Sequence, residues 1–258
     1  MDRALWVSAT GMEGQTRLTE NIANNLANVN TTAFKKGQVH FQDLYYQTIT
    51  SIGAATSDSV TPVGVDLGTG SRVSSITRDF TAGTLEQKGG DLNLAIGGEG
   101  FFKVQLPDGT EAFTRDGHFH RDSSGNIVND NGYTIVGAPA LDPSASEITI
   151  TEDGVVSQTV SGVTTQVGNI TITRFPNSEG LRPIGNNMFV ETDASGTPTD
   201  GNPNQNGHGG IRQGFLEASN VEVVKEMVNM IAAQRAYEVI SKSIKTSDEM
   251  LRTATNLK

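Results

Sequence analysis

The chain has 258 residues, 35% of them hydrophobic, and a formal charge of −10. That apolar share is low for one densely packed core of this length, so part of the chain is expected to serve a purpose other than core. The absence of cysteine excludes disulfide staples, thiolate metal sites and a cysteine nucleophile, and no segment carries the basic patch that phosphate neutralisation needs, which excludes nucleic acid as a partner.

The charge is unevenly placed: Met1 to Lys36 sums to +1 and Phe215 to Lys258 to 0, leaving −11 for the middle. The breakers follow the same division. No glycine lies between Gln15 and Lys36 or after Gly214, and all eight prolines fall between Pro62 and Pro203. The two ends are therefore expected to be helical and the middle rich in turns. At the N-terminus "ALWVSATGMEGQ" has no basic n-region, long apolar run or cleavage site, so no Sec-type signal is read there. Nor does any run of 18 apolar residues offer direct insertion into a membrane.

The N-terminal helix is expected to carry two adjacent faces. In "NIANNLANVN" five asparagines occupy ten positions. Ile22, Leu26 and Val29 repeat at i, i+4 and i+7, while Asn21, Asn24 or Asn25, and Asn28 repeat beside them. Asparagine is a poor helix former, so an amide stripe needs partners for its side chains. Residues 50–70, "TSIGAATSDSVTPVGVDLGTG", are small, polar and glycine-rich and read as a flexible connection.

The middle reads as β-structure. Asp108-Gly109, Asp116-Gly117, Ser124-Gly125 and Asn131-Gly132 recur at hairpin spacing, with short strands such as "EAFTR", "HFHR" and "YTIVG" between them. Farther on, Ile148 and Ile150, then Ile170 and Ile172, alternate with threonines as in half-buried strands. "ASGTPTDGNPNQNGHGG", residues 194–210, reads as a surface loop.

Residues 215–258 contain no helix breaker. Alternating steps of four and three from Val223 give Met227, Met230, Gln234, Tyr237, Ser241, Ile244, Asp248 and Leu251, a heptad-like seam. Val221, Val224, Val228 and Ile231 form a second stripe beside it, and Ala232, Ala233 and Ala236 thin the helix. A face this wide calls for more than one neighbour, so the ends are expected to become ordered against further copies of the chain.

Catalytic constellations are fragmentary. Gly68-Thr69-Gly70 lacks the third glycine of a dinucleotide fingerprint, Val73 standing in its place, and no phosphate-binding G-x-x-x-x-G-K-[ST] or nucleophile elbow occurs. His118 and His120, with Asp116 near in sequence, share a strand face but lack a third and fourth ligand, so no metal is expected there. Asn129, Asn131 and Gly132 imitate part of a calcium loop whose first and twelfth positions would be Ile127 and Ala138 instead of acids. Neither catalytic residues nor a cofactor are expected.

Three stretches carry a resemblance. "NIANNLANVNTTAFKK" and "EASNVEVVKEMVNMIAAQRAYEVISKSIKTSDEMLRTATNL" are similar to the terminal signatures of bacterial flagellar rod and hook proteins, and "GEGFFKVQLPDGTEAFTRDGHFHRDSSGNIVNDNGYTIVG" resembles the β-domain of the larger members. The resemblance implies an α+β fold: a discontinuous, coiled-coil-like helical domain from both termini (residues 1–36 and 214–258), a connecting segment (37–72) and a central all-β domain (73–213). "YQTITSIGAATSDSVTPVGVDLGTGSRV", with Tyr46, Gln47, Thr48, Gly53, Gly64, Gly68 and Gly70, is similar to a rod-specific extension that stiffens the tube. Leu5, Met12, Ile22, Asn24, Asn25, Leu26, Asn28, Val29 and Phe34, and Val223, Val224, Met227, Val228, Met230, Ile231, Tyr237, Ile244 and Leu251, are the residues expected to join subunits. The family also implies many copies of the chain as partners, together with proximal rod proteins, the hook protein and the surrounding ring proteins. It implies export by the flagellar type III apparatus without a cleaved signal, and a periplasmic place in the basal body.

Overall fold

The structure, a computed structural model, describes residues 2–50, 55–56, 59–60 and 63–256. Two α-helices, α1 (Asp2–Ala27) and α2 (Val223–Asn256), bracket a β-rich region. The chain divides into two compact units. One comprises Met1–Ala27, Gly37–Arg78 and Glu222–Lys258; the other comprises Asn28–Lys36 and Asp79–Val221.

In the first unit α1 and α2 pack on one another, and a two-stranded ribbon lies along α1. The ribbon pairs β1 (Gly37–Asp43), β2 (Gln47–Thr50) and β3 (Ala55–Thr56) with β6 (Ser71–Arg78), β5 (Val65–Leu67) and β4 (Ser59–Val60) respectively, all antiparallel. Residues 37–50 against 65–78 would span up to about 45 Å at ~3.3 Å per residue. Glycines let it approach the helix: Gly14 faces the Phe41 ring, and Gly70, at φ +120°, lies against Thr10 and Val7. The segment expected to be a flexible connection is thus a paired ribbon at Thr50, Ala55–Thr56, Ser59–Val60 and Val65–Leu67, while Gly53 lies outside the described residues.

The second unit holds the main core. Its strands are β7 (Leu85–Gln87), β8 (Leu94–Gly97), β9 (Phe102–Gln105), β10 (Glu111–Thr114), β11 (Phe119–Arg121), β12 (Ile127–Asn129), β13 (Thr134–Ile135), β14 (Glu147–Ile150), β15 (Val155–Val160), β16 (Val163–Asn169), β17 (Ile172–Arg174), β18 (Arg182–Gly185), β19 (Met188–Val190), β20 (Thr199–Gly201), β21 (Gly210–Gln213) and β22 (Phe215–Glu217). A seven-stranded sheet runs in the order β11-β12-β13-β9-β10-β19-β18, and a three-stranded one in the order β14-β15-β16. Leu94, Ile96, Phe102, Val104, Ile127, Ile135, Ile150, Ile170, Ile172 and Ile211 interdigitate in one buried cluster. A second cluster stacks Phe101, Phe113, Phe175 and Phe189 edge to face around Leu181.

Three boundaries differ from the sequence reading. Helix α1 ends at Ala27 instead of reaching Lys36, because the chain turns through Asn28–Phe34 with Ala33 at φ +55°. Helix α2 begins at Val223, since Phe215–Glu217 is drawn into β22 against β7. Residues 194–210 form more than a surface loop, with Thr199–Gly201 pairing to Ile172–Arg174 and with Ser195 and His208 buried. Asp116-Gly117 is likewise no hairpin turn, because Gly117 presses on the backbone of Leu94. Gly117→Ala is expected to destabilise the β-unit by about 1–3 kcal/mol or more, as its Cβ would enter the Leu94 carbonyl. Gly132→Ala, at φ +80° with open space around it, should cost only the ~1 kcal/mol of a left-handed residue. Urea denaturation of the two variants checks the order.

Candidate assembly site

The amide stripe has a use within the chain. Asn25, 2% exposed, donates from Nδ2 to the Gly37 carbonyl (3.0 Å) and accepts at Oδ1 from the Gly37 N–H (2.8 Å), so one side chain satisfies both backbone groups of the residue that starts the ribbon. Asn21 Nδ2 donates to the same carbonyl at 2.7 Å. Asn25 Nδ2 also lies 3.3 Å from Glu226 Oε2 on α2, which accounts for a buried carboxylate on that helix. A Cβ on residue 37 would collide with the Asn21 amide, so glycine fits this junction. The partners that the amide stripe needs are therefore found, for Asn25, within the chain, although Asn25 is among the residues expected to join subunits. Asn24 is exposed, and Asn28 is half-buried with its Oδ1 accepting from the Thr31 hydroxyl.

The helix pair hides one face of α2 and leaves another bare. The inward face runs through Glu226, Met230, Ala233, Ile240, Ile244, Ser247 and Leu251, rotated from the seam drawn from Val223. Small residues decide the rotation, because Gly11 on α1 leaves room for Ile240, and Ala233 and Ser247 permit close approach. Met230, Ile244 and Leu251 thus sit half-buried, whereas Val223, Met227 and Tyr237 from the same seam are exposed. Val224 (76% exposed), Val228 (59%) and Ile231 (56%) form an open apolar stripe. On α1, Ile22 is buried, Leu5, Met12 and Leu26 are half-buried, and Trp6 is exposed. Val29 and Phe34, half-buried, follow in the other unit. A groove of about 580 Å³ opens beside the pair, lined by Thr16, Thr19, Ala23, Gln234, Tyr237 and Glu238.

Along the ribbon, Tyr45 is 93% exposed, and Tyr46, Ile49, Val65 and Leu67 are also largely in water. Gln47 and Thr48 lie in β2 and face solvent, as does Gly68, while Gly64 and Gly70 are half-buried.

The second unit contains a charged cluster that the sequence reading did not single out, although its residues fall within the quoted signatures. Lys35 and Glu217 have fully buried side chains and meet at 2.6 Å, and Arg115 Nε donates to the other carboxylate oxygen at 2.8 Å. Lys35 Nζ also donates to the Thr81 carbonyl, the Gly83 N–H donates to Glu217, and the Arg115 fork donates to the carbonyls of Ile96, Gly98 and Gly100. Asn220 completes the seam, accepting from the Lys36 N–H and donating to the Asp79 carbonyl. Among the described residues no buried side-chain nitrogen or oxygen lacks a partner, which is the condition under which buried charge is tolerated. Burial alone would raise the Glu217 carboxyl, but Arg115 and Lys35 outweigh it and hold the group below the ordinary carboxylate range. Burial, reinforced by Arg115, lowers the Lys35 ammonium against the pull of Glu217.

Exposed apolar residues are thus arrayed on α2, α1 and the ribbon, and comparison with known proteins shows which family the chain is similar to. Two family patterns match: "Flagellar hook protein FlgE/F/G D1 domain" over residues 95–158 and "Flagellar basal body rod FlgEFG protein C-terminal" over residues 212–257. The chain is 44% identical over 257 residues to the flagellar basal-body rod protein FlgG of Buchnera aphidicola subsp. Schizaphis graminum, covering 98% of this chain and 99% of the relative. It is 46% identical over 264 residues to FlgG of Borreliella burgdorferi, covering 100% and 99%. To the rod protein FlgF of Caulobacter vibrioides it is 36% identical, covering 98% and 97%. The chain belongs to the flagellar basal-body rod protein family. The buried Lys35–Glu217 pair joins the two terminal signatures of this rod protein inside one unit.

Two outcomes are expected. Glu217→Gln leaves two cations buried without their anion and should destabilise the β-unit by about 3–5 kcal/mol, read by urea denaturation. Because the native Glu217 value is depressed, its contribution is complete above the unfolded carboxyl range near ~4.3 and is lost as pH falls through the native value. Glu217→Gln should therefore flatten the acid limb of the stability profile.

Proposed function

We propose that this chain is the structural subunit of the flagellar distal rod and that it assembles into a helical tube transmitting torque from motor to hook, without catalysing a reaction. The observation that carries the reading is the bare apolar stripe of α2, which intramolecular helix pairing leaves in water. Monomeric surfaces rarely expose such contiguous apolar area unless it meets a partner.

In this reading Val223, Val224, Met227, Val228 and Ile231 meet helices of neighbouring subunits in coiled-coil-like packing. The groove bearing Gln234 and Tyr237 receives a neighbour's side chains. Leu5, Met12, Leu26, Val29 and Phe34 border that layer, and Asn24 and Asn28 take part in contacts between copies. The ribbon, with Tyr46, Gln47, Thr48, Gly64, Gly68 and Gly70, reaches across neighbours and stiffens the wall. Contacts of this kind join different patches on each copy and do not close, so they generate a helical polymer. Further partners are proximal rod proteins, the hook protein and the surrounding ring proteins, after passage through the type III export apparatus into the periplasmic rod. Among the described residues no helix is long and apolar enough to cross a membrane.

The larger proximal rod protein is the second reading, favoured by the full-length similarity to FlgF. Complementation separates the two: restored motility in a strain lacking the distal rod protein supports the first, and rescue only of a strain lacking the larger proximal one supports the second. A β-rich binding domain with helical dimerisation arms would give discrete dimers. Electron microscopy of concentrated protein is expected to reveal tubes or filaments. Val224→Asp with Val228→Asp is expected to abolish them while shifting monomer stability by no more than about 0.5 kcal/mol, because both side chains already face water.

A further inference from the structure

The sequence offers His118 and His120 as a pair without a third ligand, and the fold supplies one from elsewhere. Phe119, between them, points into the core, which turns both imidazoles to the opposite face of β11. In the pairing of β11 with β12, Phe119 stands opposite Asn129, so the next residue, Asp130, comes to the level of His118. Its position is fixed by the turn that follows. Asn129 Oδ1 accepts from the N–H groups of Asn131 and Tyr133, and Gly132 closes the turn at φ +80° with its N–H on the Asn129 carbonyl. Asp116, the acid nearest in sequence, is instead engaged with the His118 N–H.

The three side chains converge. His118 Nδ1 lies 2.9 Å and 3.1 Å from the two Asp130 oxygens, and His120 Nε2 lies 2.9 Å from Oδ1. One ligand atom from each residue falls within 4.8 Å of the other two. The imidazole centroids are 4.6 Å apart. Both histidines line a cleft of about 450 Å³ shared with Asp91, Asn93 and Ser146, so the cluster is open to solutes.

The geometry points to a divalent-cation site of the zinc class at His118, His120 and Asp130, with the remaining coordination position left to water. Tetrahedral zinc at ~2.0–2.1 Å holds its ligands about 3.3 Å apart, so each His–Asp separation need open by only about 0.4 Å. Each ring then presents the lone pair of the nitrogen now facing Asp130 and keeps its proton on the other nitrogen. Two imidazoles and one carboxylate select zinc, cobalt, nickel or copper over magnesium, which prefers all-oxygen ligation. Slight burial would raise the Asp130 carboxyl, but hydrogen bonds and charge from both histidines hold it below the ordinary range, so the anion is present well below neutral pH.

The test uses the full-length chain in dilute solution. Titration calorimetry with zinc chloride at pH 7.5 is expected to give one bound ion per chain, and cobalt(II) should develop a visible ligand-field band at the same stoichiometry. His120→Ala and Asp130→Asn, both at exposed side chains, should each weaken zinc binding at least tenfold while melting like the parent without metal. His40→Ala, on the ribbon, should leave it unchanged. Magnesium at the same concentration should give no heat and no rise in melting temperature. Zinc binding that survives His120→Ala and Asp130→Asn, or no binding by the parent chain, would overturn the assignment.

Discussion

An amphipathic helix with two apolar faces cannot satisfy both against a single partner, and α2 is such a helix. Its inward face is closed by α1, with Ala233, Ser247 and Gly11 allowing the backbones to approach. The Val224–Val228–Ile231 stripe stays in water, where each buried methylene it would contribute elsewhere is worth ~0.8 kcal/mol. In the proposed tube that excess, repeated along a helix and again in every copy, would be the driving force for open-ended association. On that proposal the same constraint would account for the chain's low apolar share, with apolar residues such as Val224, Val228 and Ile231 exposed on α2 and not placed in a monomer core.

Two polar devices keep this arrangement in one register. In the first unit Asn25 grips both backbone groups of Gly37, tying the start of the ribbon to α1 and touching Glu226 on α2. In the second, Glu217 receives Lys35 and Arg115, so residues just beyond α1 and just before α2 are held by one carboxylate. Both devices are fully hydrogen-bonded and buried, which makes them costly to break and poor at tolerating alternatives. Asn25–Glu226 and Lys35–Glu217 bring together residues 201 and 182 apart in sequence, and these four lie inside the terminal signatures that resemble those of the rod family.

Much of this was legible in the chain itself. The distribution of glycine and proline marks where helices run, and Asp108-Gly109, Ser124-Gly125 and Asn131-Gly132 each form turns with glycine at positive φ. The alternation of Ile148, Ile150, Ile170 and Ile172 does foretell burial. What periodicity could not supply was the rotation of α2, because the deciding residues are small or polar: Gly11, Ala233, Ser247 and Glu226 read as neutral or outward-facing until their partners are known. Asn25 illustrates the same limit, since its amide stripe is visible but Gly37 as its partner is not. The acceptor of Lys35 comes from a strand 182 residues away, and the third member of the His118–His120 pair comes from the turn after the neighbouring strand, where only the pairing register brings it to them.

Hydroxyl-radical footprinting, carried out on dilute chain and again after assembly, tests the central claim most directly. Met227, Val228, Ile231 and Trp6 should be readily oxidised in the dilute chain and strongly protected once copies associate, while Ile22 and Ala233 remain protected in both states. Equal labelling of Met227, Val228 and Ile231 before and after association would contradict the account, because the face held open on α2 would then not be the one that joins subunits.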